Sequence, residues 1–240
     1  MKITIVTLFP HMFDGFLSES IIKRTIDKGL IEFKIVDLRE YSLDKHHHVD
    51  DTPYGGGAGM VLKCDIMDRC LEANKALNSH ICLMTPQGHQ YKQEDARRLS
   101  MLDDIILVCG HYEGFDERIR DYVDEEISIG DFVLTGGELP SMIISDSITR
   151  LLDGAILKDS YEGDSYSNGL LEYPQYTRPE IYDGKRVPDV LLSGHHANIK
   201  KYRHEESLKR TAMYRPDLLE NLKLNKEDQK VVDSVLKIQK

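Results

Sequence analysis

An α/β fold with a mostly parallel sheet, followed by a small helical domain, is what this chain of 240 residues predicts. Three observations carry that expectation. Strand-like runs alternate with helical ones through the first 150 residues, which is the pattern of βαβ units. Three successive strand candidates each run into a turn containing glycine: "MTPQG", "CGHYEG" and "IGDFVLTGGE". Between Ile156 and Pro174 the composition shifts to Gly, Ser, Asp and Tyr, "ILKDSYEGDSYSNGLLEYP", and beyond it the long runs read as helices.

The elements follow in order. "KITIVTLF" is a strand; its single lysine and short apolar run could mimic a signal peptide, but Pro10 and His11 follow with no small-residue cleavage site. "SESIIKRTIDKGL" has helical spacing and is closed by Gly29, and "IEFKIVDL" is a second strand. A polar, glycine-rich stretch then runs from Arg39 to Gly59 and contains "DDTPYGGGAGM". "VLKCDIMDRCLEANKAL" is helical in period, whereas "HICLMTP", "DIILVCG" and "EEISIGDF" are three further strands, with helical segments between and after them. "SGHHANIKKYRHEESLKRTAMYRPDLLENL" reads as helices broken at Pro216. The predicted division is an α/β domain over 1–160, a mobile interdomain loop over 161–172 and a helical domain over 173–240.

Composition narrows the function classes. No run approaches the ~18 apolar residues of a membrane helix, and Cys64, Cys70, Cys82 and Cys109 form no CxxC pair, which points to a reducing cytoplasm. The net charge of −10 argues at first against nucleic acid, but it is unevenly spread. Residues 101–147 hold twelve acids against Arg118 and Arg120, whereas residues 176–215 hold nine bases against five acids. A local basic face on an acidic protein still attracts phosphate.

The obvious templates fail. Met60 stands where either a P-loop or a dinucleotide fingerprint counted from Gly55 needs its last glycine, and the first strand ends in "TLFPHMF", with no glycine. "HEESL" puts Leu208 where HExxH needs histidine, no GxSxG elbow exists, and the adjacent His46, His47 and His48 cannot all turn to one ion in regular structure. The three glycine turns remain. At the carboxyl ends of strands they would build a pocket of backbone N–H and C=O groups, suited to an adenine edge. The plainer alternative is three tight βα turns, which one turn alone would favour and three in register do not.

"PYGGGAGM", "CGHYEGFDERI", "SIGDFVLTGGELP", "LLEYPQYTRPE", "VLLSGHHANI" and "RPDLLE", in this order, closely resemble the bacterial tRNA (guanine-N1)-methyltransferase family of the SPOUT class. The resemblance spans nearly the whole chain and implies a deep trefoil knot in the α/β domain. It implies S-adenosylmethionine as methyl donor, held by Thr85, Pro86, Gly110, Glu113, Ile129, Gly130, Asp131, Phe132, Val133, Leu134, Gly136 and Gly137. Phe132 departs from the family's usual Tyr, and Thr52 and Ala58 from its Arg and Pro. Asp50, Gly59 and Ser165 would face the RNA, so the partner of the glycine loop would be a base of tRNA bearing G at position 37.

Guanine N1 carries a proton at neutral pH, so its methylation needs a base and a cation to hold charge on O6. Arg150, ending "ELPSMIISDSITR", is the O6 candidate. The family's base is the aspartate of an Asp-Ser-aromatic triplet, which occurs here at Asp159 and again at Asp164; the spacing to "GLL" selects Asp164. Lys200, Arg203, Ser207 and Arg210 fall on one side of a helix, a solvated face by itself and an RNA-phosphate face once tRNA is the substrate. The resemblance also implies a homodimer and brings magnesium as a candidate cofactor, for which no ligand set is legible. The rivals are a knotted methyltransferase acting on ribosomal RNA or a ribose 2′-OH, a non-catalytic RNA-binding protein, and a nicotinamide-dependent oxidoreductase.

Overall fold

"KITIVT" forms β1 (Lys2–Thr7), five of whose six residues are buried because the sheet continues on both sides of it. The computed structural model describes residues 1–157 and 163–238, and the chain divides into two units, Met1–Leu157 and Lys158–Lys240. The first unit continues with β2 (Glu32–Asp37), the short strands β3 (Asp50–Asp51) and β4 (Val61–Leu62), β5 (His80–Gln90), β6 (Asp104–Cys109) and β7 (Glu125–Ser128). Its helices are α1 (Asp14–Ser18), α2 (Ser20–Asp27), α3 (Cys64–Asn74), α4 (Gln93–Ser100) and α5 (Glu138–Thr149).

The main sheet has the order β2-β1-β6-β5-β7, and all four pairings are parallel. Side chains alternate between its faces, as a period of two requires. Ile106 and Val108 of β6 join the cluster that α3 covers with Ile66, Met67, Cys70 and Leu71. Ile105, Leu107 and Cys109 of the same strand join the opposite cluster, with Leu99 of α4 and Ile144 and Ile148 of α5. β6 is buried along its whole length, which explains why "DIILVC" reads as an unbroken apolar run rather than an alternating one.

Three local readings change in this unit. The turn expected at "MTPQG" is a bulge inside β5: Met84 and His89 both face Ile127, so residues 85–88 loop out and the strand resumes. A side chain at Gly88 would run into the Glu126–Ile127 backbone, which makes this the place where two strands approach too closely for anything but glycine. Val61 and Leu62 open no helix; Leu62 N–H donates to Gly114 O at 2.9 Å and the pair becomes β4. Between β6 and β7 the helical segment is a 3-10 turn, Glu117–Tyr122, capped by the Asp116 carboxylate accepting from Arg118 N–H. Hydrogen bonds from Arg118 overcome the opposing effect of burial and hold the Asp116 carboxyl at about 2.

The second unit carries the hairpin β8 (Ile181–Tyr182) and β9 (Lys185–Arg186), and the helices α6 (Asp189–Leu192), α7 (His196–Tyr214) and α8 (Lys226–Ile238). Leu170, Leu208, Ala212, Val232 and Val235 form its core. Ser207, expected on the exposed basic stripe, is buried instead, because the stripe's i+7 position rotates onto the face of α7 that packs against this core. No helix among the described residues is long and apolar enough to cross a membrane.

Candidate active site

β6 and β7 end at one cleft of about 310 Å³, which the bulge of β5 also lines. Ligands in open α/β sheets collect at this edge, outside the carboxyl ends of the strands. Thr85 and Pro86 reach the cleft from the β5 bulge, residues 110–115 from the turn after β6, and residues 129, 130 and 132–137 from the segment after β7. Each donor position implied by the resemblance therefore lines this cleft except Asp131, which is exposed on the same turn. Met84, His111, Tyr112, Ile127, Ser128, Thr135 and Pro140 line it as well and were missed. His111 and Tyr112 had a signal, since they lie inside "CGHYEG".

Close backbone packing shapes the cleft. Gly137 N–H donates to Gly110 O at 2.8 Å, which sets the start of α5 flush against the end of β6. A Cβ on Gly137 would stand 2.7 Å from Cys109 Cα and 2.9 Å from Gly110 N, neither of which can swing aside. A Cβ on Gly130 would strike the Phe132 ring at 2.6 Å. Burial pushes the Cys109 thiol well above its ordinary value, so it stays neutral.

The glycine loop abuts this wall. β3 and β4 pair as Asp50 with Leu62, and the loop between them is tied to the turn after β6. Glu113 N–H donates to Met60 O at 3.0 Å, and Asp116 N–H to Leu62 O at 2.9 Å. Gly59 has φ +84°, and a side chain there would collide with that of Glu113. The loop thus needs glycine both for its backbone and for close approach to a cleft residue. Its outer residues are exposed, Tyr54 completely.

Behind the cleft, Glu138 is 2 % exposed and accepts a 2.7 Å hydrogen bond from the Thr7 hydroxyl. Its other oxygen stands 4.0 Å from His111 Nδ1, which has no hydrogen-bond partner among the described residues. Residues 7, 111 and 138 carry no shared sequence signal, and their meeting was not foreseen.

The remaining expected residues fall in both units. Arg150 caps α5, its N–H donating to Asp146 O at 3.1 Å, and is half-buried. Asp164 is half-buried in the second unit, where its carbonyl accepts from Ser167 N–H at 3.1 Å. Ser165 Oγ accepts from Glu172 N–H at 3.0 Å, and Leu171 N–H donates to Thr211 Oγ1, so this part of the expected loop is tied to α7. Asp159, its alternative triplet, and positions 161 and 162 of the loop lie outside the described residues. Lys200, Arg203 and Arg210 are exposed on α7, with the Arg203 guanidinium 4.7 Å from the centre of the Tyr173 ring.

Magnesium prefers six hard oxygen ligands. Among the described residues the trio of converging donors is His80, Cys82 and Glu125, which offers nitrogen and sulfur and lies toward the opposite ends of β5 and β7. That trio does not fit magnesium.

Comparison with known proteins adds the chemistry. Residues 1–221 match the family model described as tRNA (Guanine-1)-methyltransferase TrmD. A tRNA (guanine-N(1)-)-methyltransferase of Halalkalibacterium halodurans is 54 % identical, the match covering 100 % of this chain and 99 % of that one. The proteins of the same name from Dehalococcoides mccartyi and Staphylococcus carnosus are each 51 % identical, over 98 % and 99 % of this chain and 97 % and 98 % of theirs.

Proposed function

The chain belongs to the tRNA (guanine-1)-methyltransferase family, and from that premise we propose that it transfers a methyl group from S-adenosylmethionine to N1 of guanosine 37 in tRNA, beside the anticodon. The observation that carries this reading is the convergence of three glycine-bearing segments on one cleft, with the glycine loop hydrogen-bonded to its wall. The cleft suits the donor: its glycines leave no room for side chains, and backbone groups of the turns after β6 and β7 can pair with an adenine edge. The knot of the SPOUT class belongs to the same reading, as does action in the cytoplasm. S-adenosylmethionine, when bound, supplies an electrophilic methyl on a sulfonium that becomes neutral on transfer.

The protein's own residues do the rest. Asp164 takes the proton from guanine N1, and the Arg150 guanidinium holds the negative charge that develops on O6. The glycine loop, with Asp50 and Gly59, receives the base, and Ser165 stands beside Asp164 at the RNA. Lys200, Arg203 and Arg210 contact phosphates, a term that weakens as salt rises. Incubation of the protein and donor with unmodified tRNA bearing G37, against a G37→A control, tests the reading. The expected product is 1-methylguanosine in the first alone. Methylation elsewhere, or tRNA binding without product, would refute it.

The working form in this reading is a homodimer, with the donor cleft from one chain and Asp164 from the other. Its support is an exposed apolar face: Leu139 and Ile143, one helical turn apart on α5, are 48 % and 49 % exposed, and Met12, beside Leu139, is 47 % exposed. Glutamates at both α5 positions are expected to convert the dimer to monomer in light scattering and to remove methyl transfer. A Leu139→Glu/Ile143→Glu protein that stayed dimeric would exclude this face.

A further inference from the structure

At the end of the sheet away from the cleft, three different metal-binding side chains meet. His80 and Cys82 lie two residues apart on β5 and so share a face, and Cys82 is the register partner of Glu125 on β7. Their ligating atoms all lie within 4.8 Å of one another, with His80 Nε2 2.7 Å and Cys82 Sγ 3.4 Å from Glu125 Oε1. We propose that His80, Cys82 and Glu125 bind a zinc ion that staples β5 to β7.

Zinc takes nitrogen, sulfur and carboxylate oxygen in a tetrahedron, and bonds of about 2.0–2.3 Å place such ligand atoms roughly 3.3–3.7 Å apart. The trio brackets that spacing, so small side-chain rotations close the site and water completes it as fourth ligand. The surroundings supply the outer partners that zinc ligands use. Asp124 Oδ2, fixed by a 2.8 Å bond from Ile81 N–H, stands 3.8 Å from His80 Nδ1, on the ring edge away from Glu125, close enough to become its outer partner once the ring turns to the ion. The Arg98 guanidinium grips both oxygens of Glu125, donating to Oε2 at 2.7 Å and to Oε1 at 3.1 Å; Oε1, which also faces the histidine and the thiol, exchanges the longer of these bonds for the ion. Cys82 is fully buried; coordination sends its thiol proton to solvent and forms the sulfur–metal bond. His80 and Glu125 keep some exposure, which gives the ion a way in.

Cobalt(II) titration of the metal-free full-length protein, followed by competition with zinc, tests the proposal. Expected are one ion per chain, a thiolate-to-cobalt charge-transfer band, its loss on zinc addition, and a higher Tm with zinc. Cys82→Ser abolishes the band and the Tm rise, whereas Cys70→Ser, in the buried cluster on the other face of the sheet, retains both. His80→Gln, at a partly exposed position, keeps the fold and weakens binding at least about tenfold. Absence of the band in the folded wild type, or a band that persists in folded His80→Gln at unchanged affinity, overturns the site.

Discussion

Asp164→Ala and Arg150→Ala are each expected to lower single-turnover methyl transfer by about 10²–10⁴-fold while donor affinity, read by calorimetry, stays close to wild type. The magnitude follows from the nucleophile. Guanine N1 is a poor one while protonated, and neither charge nor geometry elsewhere substitutes for a base at that atom. The two variants separate by pH. Without Asp164 the remaining proton acceptor is solvent, so the defect shrinks as pH rises; without Arg150 the charge on O6 stays unstabilised and the deficit persists. Asp159→Ala serves as the counterpart and is expected to keep near-wild-type turnover. Loss in Asp159→Ala with retention in Asp164→Ala would transfer the base to the other triplet.

Gly137→Val has the second largest expected effect, and it acts on the donor. Gly137 has φ −84°, an ordinary conformation, so the obstacle is space alone. The new Cβ would meet Cys109 Cα at 2.7 Å and Gly110 N at 2.9 Å, and these backbone atoms shift only by prying α5 from the end of β6. Overpacking of this kind destabilises by about 1–3 kcal/mol, and the separation widens a cleft wall that backbone groups must keep in register with the ligand. Donor affinity is expected to fall at least about tenfold, or 1.4 kcal/mol, with Gly137→Ala intermediate. Gly15→Ala is the control, since nothing lies within 4 Å of its would-be Cβ. A Gly137→Val protein with wild-type donor affinity would show that this wall does not hold the donor.

Much of the fold was legible. "KITIVT", "EFKIVD" and "DIILVC" announced three sheet strands through β-branched runs, Gly29 closed a helix, Pro216 broke one, and the order of strands and helices implied a parallel sheet. The glycines of "CGHYEG" and "LTGGE" pointed to the edge where the cleft lies. Less legible were the outcomes that depend on a distant partner. "MTPQG" carries every local sign of a turn, yet the chain returns to β7 and remains one strand. The stripe through Lys200, Arg203, Ser207 and Arg210 has perfect helical spacing, yet the packing of α8 and Leu170 against α7 takes Ser207 out of solvent.

By itself, then, the sequence determined the type and order of most elements, the apolar faces and the family, because period, turn chemistry and motif spacing are set by atoms a few bonds apart. Only the tertiary structure decided that Thr7 meets Glu138 across 131 positions, that Gly59 lies against Glu113, and that Cys82 shares a register with Glu125. Those meetings arise from strand register and the packing of whole layers, where the free energy is spread over many contacts and no local pattern of residues records it.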